Sequence, residues 1–142
     1  MTIRKLRTKR DNQQWMLDLA LNMRGRVQNF ERDDLETPTR AHNYRMLPKQ
    51  WRMKAEHDEA LGRQAQAQGF DATAVEHYDH AIEAYRMAQH PIFYDDNPIK
   101  LSLYAKLDAV VDLRSEVAPY PVERVEVPFD DGKTISCLLH LL

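Results

Sequence analysis

The residues best suited to metal chemistry lie together in one helical stretch. His77 and His80 are three positions apart, which places both rings on one side of a helix. Glu76, Asp79 and Glu83 are close by, so an oxygen and two nitrogens are available to an ion such as zinc. That side of the helix is otherwise polar, and no second pair of ligands stands elsewhere to complete a site. The sequence therefore predicts a solvated helix face, with no metal and no cofactor.

A nucleophile for covalent catalysis is not recognisable in this sequence. Such enzymes need an activated Ser or Cys beside a base and an orienting acid. Ser102, Ser115 and Ser136 have no strand–turn–helix setting that exposes a nucleophile, and no Gly-x-Ser-x-Gly motif occurs. Cys137 alternates with apolar residues, as a buried structural thiol does. We predict no catalytic residue in this chain.

Three aromatic residues remain as candidates for contact with a ligand. Tyr78 and Tyr85 alternate with alanines, from Ala74 to Ala88, in steps of four and three. This spacing favours a helix–helix seam, in which small residues allow close approach and phenol rings fill the gaps. The other interpretation is that the phenols line a pocket, and Trp51 allows the same two interpretations. We predict a pocket wall formed by Trp51, Tyr78 and Tyr85.

Helices are needed to position these residues. Apolar periodicity and capping signals predict about four, at residues 12–24, 48–69, 72–89 and 98–117, with a polar connection at 31–47 that has room for a short helix. Gly69 can adopt the left-handed conformation that ends a helix, and Asp71 can cap the next one. Phe70 and Val75 then have the spacing of a hydrophobic staple.

The last predicted helix begins at Asn97-Pro98, a cap followed by a first-turn proline. Its predicted apolar stripe consists of Leu103, Tyr104, Leu107, Val110 and Val111.

The periodicity changes from helix to strand after Pro119 and Pro121. Val125, Val127 and Phe129 alternate with polar residues, Asp131-Gly132 is a strong turn signal, and residues 134–142 form a second apolar strand. A lone hairpin is marginally stable in water, and an apolar outer edge promotes association. The helices, a second copy of the chain or further strands must cover it. We favour further strands.

Composition and charge exclude several classes of protein. The chain has 142 residues, a formal net charge of −2 and a single cysteine, so an internal disulfide framework and a multi-cysteine zinc site are excluded. The basic residues of the first ten positions lack interleaved aromatic residues, and no apolar run is long enough to span a membrane. We expect a cytoplasmic protein that binds neither nucleic acid nor a membrane.

The middle of the chain resembles one tetratricopeptide helical hairpin. The resemblance rests on small and aromatic residues at the helix contact, namely Leu61, Gly62, Ala65, Gly69, Ala74, Tyr78 and Ala81. That motif is specific when it is repeated, and here it occurs once.

A broader resemblance covers about residues 48–142. A helix led by Trp51, the hairpin EHDEALGRQAQAQGFDATAVEHYDHAIEAYRMAQHP, a helix with Tyr104 and the segment PYPVERVEVPFDDGKTISCLLHLL follow in order. This order is similar to the N-terminal part of α/β-hydrolases that carry a helical cap, a group that includes the 2,6-dihydroxypseudooxynicotine hydrolases and the fermentation-respiration-switch-like esterases. The resemblance implies a helical lid followed by the first two antiparallel strands of the hydrolase sheet. The family's nucleophile, acid and histidine lie downstream of this region, so no catalytic residue carries over.

The resulting prediction is a mainly α-helical chain with two parts. Residues 1–118 are a helical cap domain and residues 119–142 the first, truncated β-hairpin of a hydrolase-like domain. The chain would shape the substrate pocket of an enzyme that hydrolyses a C–C or ester bond, without carrying its triad. Its expected partner is a hydrolase core domain, or a second copy bound through the C-terminal strand as a homo-oligomer, and a small-molecule substrate binds only in the complete enzyme. The alternative is a small tetratricopeptide-like module that binds a partner peptide.

Overall fold

The computed structural model describes Gln14 and residues 40–41 and 43–141. Apart from Gln14, the predicted first helix lies outside these residues, as does most of the predicted connection 31–47. The end of that connection forms a short 3-10 helix, Tyr44–Met46. Three α-helices and a hairpin follow in the described chain: α1 (Leu47–Ala67), α2 (Asp71–Gln89), α3 (Pro98–Glu116), β1 (Val122–Pro128) and β2 (Thr134–His140). The predicted order, mainly helical and ending in a β-hairpin, is confirmed.

The turn between α1 and α2 is a Schellman motif. Gly69 has a φ of 76°, and its N–H donates to the carbonyl of Gln66 while the N–H of Phe70 donates to that of Ala65. The left-handed glycine was predicted, but the Asp71 cap is wrong. Phe70 occupies the N-cap position, without a side-chain hydrogen bond, because this turn returns the chain to helical backbone at Asp71 itself. Because Phe70 is itself the N-cap, Phe70 and Val75 do not have the spacing of the predicted hydrophobic staple. Phe70 is 60% exposed.

The core of the described chain lies mainly between α1 and α2. Trp51 and Ala55 on α1 meet a seam on α2 that is fully buried at Ala74, Tyr78, Ala81, Tyr85 and Ala88, as predicted. The helices approach most closely at Gly62, where an added Cβ would lie 2.6 Å from two ring carbons of Tyr78. A larger residue at position 62 would clash with this ring, which explains why a glycine stands inside the helix despite its cost to helix stability.

Helix α3 packs on α2 through a narrower stripe than predicted. The side chain of Asn97 accepts hydrogen bonds from the N–H groups of Ile99 and Lys100, which confirms the predicted cap. Leu103 and Val110 are buried. Tyr104 is 59% exposed, so its place in the stripe was wrong, because one step along a helix rotates a side chain by about 100° away from the position of Leu103.

The two strands form one antiparallel sheet. Val125 pairs with Cys137 and Val127 with Ile135. Asp131 and Gly132 both have positive φ, 56° and 74°, which matches the turn signal in the sequence. The N–H of Phe129 donates to the carbonyl of Lys133 at 2.7 Å and closes the loop.

Within the described part of the chain, the helices are too short or too polar to cross a lipid bilayer.

Candidate functional site

The three aromatic residues predicted to form a pocket wall are enclosed within the helical part. Trp51 is 2% exposed, and Tyr78 and Tyr85 are fully buried between α1 and α2. They therefore stand together in the described structure, on the inside of the helix pair. Their contact with a substrate stays a prediction.

Both buried tyrosines are fixed by hydrogen bonds to α1. The hydroxyl of Tyr78 donates to Oε1 of Gln66 at 2.6 Å, and that of Tyr85 donates to Oε2 of Glu59 at 2.9 Å. Burial raises the pKa of both phenols, and the hydrogen bond to Glu59 raises that of Tyr85 further. Both groups are thus neutral donors at neutral pH. Their chemistry is positional, since neither is poised to act as a base.

The β-hairpin has two chemically distinct faces. Register and alternation place Val125, Val127, Ile135, Cys137 and Leu139 on one side, called here the apolar face. Val127, Ile135 and Leu139 are each close to half exposed, and Val125 and Cys137 are half-buried. In the described chain neither outer edge of the two-stranded sheet pairs with another strand. The surface is therefore apolar and bordered by unpaired backbone groups.

The opposite, mostly polar face of the hairpin is directed at α3. Arg124 donates to Asp112 at 2.7 Å and pairs with Asp108 at 3.0 Å, both on α3, and it also donates to Ser136 of β2 at 3.2 Å. These charge-assisted contacts orient the hairpin on the helices. The consequence is that the apolar face is turned away from the helices.

A shallow cavity lies between the end of α2 and the start of α3. Its volume is about 390 Å³, and its lining consists of Arg86, Gln89, His90, Lys100, Tyr104 and Leu107. Two of its cations already have carboxylate partners, since Arg86 pairs with Glu83 and Lys100 pairs with Asp95 at 2.5 Å. The sequence analysis did not find this cavity, because its walls come from two helices whose relative position the sequence does not specify.

Ser115, Ser136 and Cys137 lie in structural settings, and Ser102 is exposed on α3. The hydroxyl of Ser115 donates to the carbonyl of Val111 at 2.8 Å, and Ser136 accepts from Arg124. Cys137 is half-buried on the apolar face. Among the described residues, no hydrogen bond joins a serine or Cys137 to a histidine.

The two histidines considered for metal binding do meet a carboxylate, but on another helix. Asp79 pairs with Arg114 on α3 at 3.1 Å, and Glu83 pairs with Arg86. The carboxylate that approaches His77 and His80 is Asp58 of α1. The sequence contains a signal for this approach of Asp58. Asp58 and His80 are equally far from Gly69, and residues equally far from the turn lie at the same height along two antiparallel helices.

Comparison with solved structures shows a similarity in fold. No protein-family model and no curated protein matches the chain. Among solved structures, the fold is similar to a crystal structure of 2,6-dihydroxy-pseudo-oxynicotine hydrolase, with a TM-score of 0.52 and 19% sequence identity. The match covers 66% of this chain and 25% of that one, so it spans about a quarter of the hydrolase's length. The chain thus shares the fold of part of that enzyme.

Proposed function

We propose that this chain is the helical cap and first β-hairpin of an α/β-hydrolase-like enzyme that cleaves a C–C or ester bond. The fold similarity to part of such a hydrolase supports this assignment. The cap would shape the substrate pocket and exclude water from it, while the catalytic groups come from the core domain.

The observation that carries the proposal is the orientation of the hairpin. Arg124 attaches the polar face to α3, and the apolar face with its free strand edges points outward. Unpaired strand edges can pair with further strands, and an exposed apolar sheet face can pack against a second layer of structure. We therefore assign the surface to a hydrolase core domain, whose strands would continue the sheet and whose helices would cover the apolar face.

A core domain fits this surface better than a second copy of the chain. The solved hydrolase is about four times as long as the matched segment, so the matched segment is a minor part of a larger fold there. Two hairpins paired edge to edge would make a four-stranded sheet but would leave its apolar face uncovered. Without a core domain, the uncovered apolar face should make residues 1–142 associate without a fixed stoichiometry, whereas a defined dimer would favour the second copy.

Aromatic residues at the α2–α3 end of the helical part are suited to contact an apolar substrate. Phe93, Tyr94 and Tyr104 are each more than half exposed, and Tyr104 lines the cavity. Behind them, the predicted wall residues Tyr78 and Tyr85 hold α1 and α2 together. In this proposal the buried tyrosines support the pocket wall, and the exposed rings meet the substrate.

The closely packed α1–α2 pair also favours the second candidate, a tetratricopeptide-like module. Gly62 and the ring of Tyr78 make the type of small-to-large contact found between such helices. A peptide-binding module would function without the hairpin, whereas a hydrolase cap would not.

The decisive experiment is to express the chain together with the coding sequence that follows residue 142. The proposal expects that sequence to encode further strands and a Gly-x-Ser-x-Gly elbow, and it expects the longer protein to hydrolyse ester substrates while residues 1–142 do not. Tyr104→Ala in that protein should raise KM, with Phe70→Ala, which removes a similarly exposed aromatic ring in the α1–α2 turn, as the matched control. A stop codon with no hydrolase reading frame beyond it would contradict the proposal and favour the interaction module.

A further inference from the structure

We propose that Asp58, His77 and His80 form a binding site for a divalent transition metal ion, with Zn²⁺ as the reference ion. One carboxylate oxygen and one nitrogen from each ring lie within 4.8 Å of one another. The site bridges α1 and α2, and it depends on neither the hairpin nor the proposed hydrolase function.

The distances place the three groups slightly outside coordination geometry. Nδ1 of His77 is 3.9 Å from Oδ1 of Asp58. Ligands bound to zinc at about 2.0–2.1 Å in a tetrahedron are separated by about 3.3 Å. Side-chain rotations of the order of 1 Å would bring the donors together around an ion.

An unsatisfied atom faces this cluster. Nδ1 of His77 is buried, and it is the one such side-chain atom in the described residues without a hydrogen-bond partner. A buried polar atom left without a partner is destabilising, so native proteins normally supply a partner, a water molecule or an ion. A metal ion bound to this nitrogen removes that penalty.

The carboxylate of Asp58 is held in an orientation suited to metal binding. Asp58 is a buried charged residue, with a side chain only 9% exposed. Its Oδ2 accepts a hydrogen bond from Lys54 at 3.3 Å, which leaves Oδ1 directed at His77. Such an outer partner fixes the orientation of a ligating carboxylate, although its positive charge opposes the ion.

The donor set selects the type of ion. Two imidazoles and one carboxylate suit Zn²⁺ and neighbouring transition metals, whereas Mg²⁺ prefers oxygen ligands only. Three protein ligands leave a coordination position for water. The prediction of no metal from the sequence relied on the absence of a further ligand, and the helix pairing supplies one in Asp58.

The test is a Zn²⁺ titration of the full chain after removal of metal with a chelator, in competition with a chromogenic zinc indicator. Wild type should bind one Zn²⁺ and show a raised Tm with Zn²⁺ but not with Mg²⁺. Asp58→Asn and His80→Ala should each weaken binding by more than the roughly 10- to 100-fold typical of losing an outer hydrogen-bond partner. The matched control is His57→Ala, an exposed histidine beside Asp58, which should change affinity less than 2-fold.

Identical titration curves for wild type and His80→Ala would overturn the proposal. So would an equal loss of affinity in His57→Ala, which would indicate non-specific binding to surface histidines. His80 is half-buried on a helix, so His80→Ala keeps the test decisive if circular dichroism shows that Asp58→Asn fails to fold.

Discussion

The helix pair α1–α2 and the hairpin β1–β2 have the same antiparallel arrangement but differ in how far they bury their apolar side chains. Each joins two neighbouring antiparallel elements through a turn that contains a left-handed glycine, Gly69 or Gly132. The helix pair encloses Trp51, Tyr78 and Tyr85 completely or almost so. The hairpin instead leaves its apolar face close to half exposed.

Among the described residues, the helix pair buries its large apolar side chains and the hairpin does not. In the helix pair, alanines and Gly62 let the backbones approach until tyrosine rings fill the interface. Two strands alone cannot cover a sheet face, and the contacts of Arg124 with α3 involve the polar face of the hairpin. The proposal that another surface covers the hairpin is based on this open apolar face.

Removing a large side chain should expose this contrast most strongly. Trp51→Ala empties the core between α1 and α2 and should lower the free energy of unfolding by about 3–5 kcal/mol. Ile135→Ala, on the apolar face of the hairpin, should lower it by less than about 1 kcal/mol, because that side chain is 46% exposed. Urea denaturation monitored by circular dichroism measures both. Equal losses would mean that the hairpin belongs to the same core.

Filling the closest helix contact should have the next largest effect. A Cβ added by Gly62→Ala meets the ring of Tyr78 at 2.6 Å, so we expect a loss of about 1–3 kcal/mol from overpacking. Gly69→Ala is the matched control, since it has open space but a φ of 76°, and its strain should cost about 1 kcal/mol. If Gly62→Ala stabilised the protein, as alanine does in an open helix, the close packing would be refuted.

The tyrosine hydroxyl that links the helices should make stability depend on alkaline pH. Tyr85→Phe removes the hydrogen bond to Glu59 and should lose about 1 kcal/mol at pH 8. Because the pKa of Tyr85 is raised in the folded state, its stabilising contribution is complete below the unfolded value of about 10 and declines as pH rises above it.

The difference in unfolding free energy between wild type and Tyr85→Phe should therefore shrink between pH 10 and pH 12. Tyr104→Phe, at an exposed position, is the control and should stay within about 0.5 kcal/mol of wild type at pH 8. A wild-type advantage that grows with pH would contradict the assignment.

Detaching the hairpin should change global stability least. Arg124→Gln removes the contacts with Asp108 and Asp112, and partly exposed ion pairs contribute about 0–1 kcal/mol. Limited proteolysis of the segment 119–121 should nevertheless become faster, because these contacts orient the hairpin. Arg52→Gln, which removes an exposed ion pair within α1, should leave the cleavage rate unchanged.

Local sequence signals predicted most of the fold. The seam on α2, the Asn97 cap and the Asp131-Gly132 turn depend on residues close together in the chain, and all three are confirmed. The cap assigned to Asp71 and the buried position assigned to Tyr104 were each wrong by one residue. Errors of one residue are the most common in assigning helix caps and helix faces.

Features that need tertiary packing were harder to predict. The approach of Asp58 to His77 depends on how α1 and α2 pair across Gly69, and the cavity depends on where α3 lies. The direction of the hairpin's faces depends on Arg124 meeting two acids on α3. Alternation identified an apolar face, but no local signal states which side the helices occupy.

The most direct test of the open apolar face is the concentration dependence of the mass of residues 1–142 in light scattering. We expect the wild-type chain to self-associate as concentration rises, Ile135→Glu to remain monomeric, and Thr134→Glu, on the polar face, to associate like wild type. A wild-type chain that stays monomeric throughout, with no change on Ile135→Glu, would show that the hairpin needs no partner and would contradict the account.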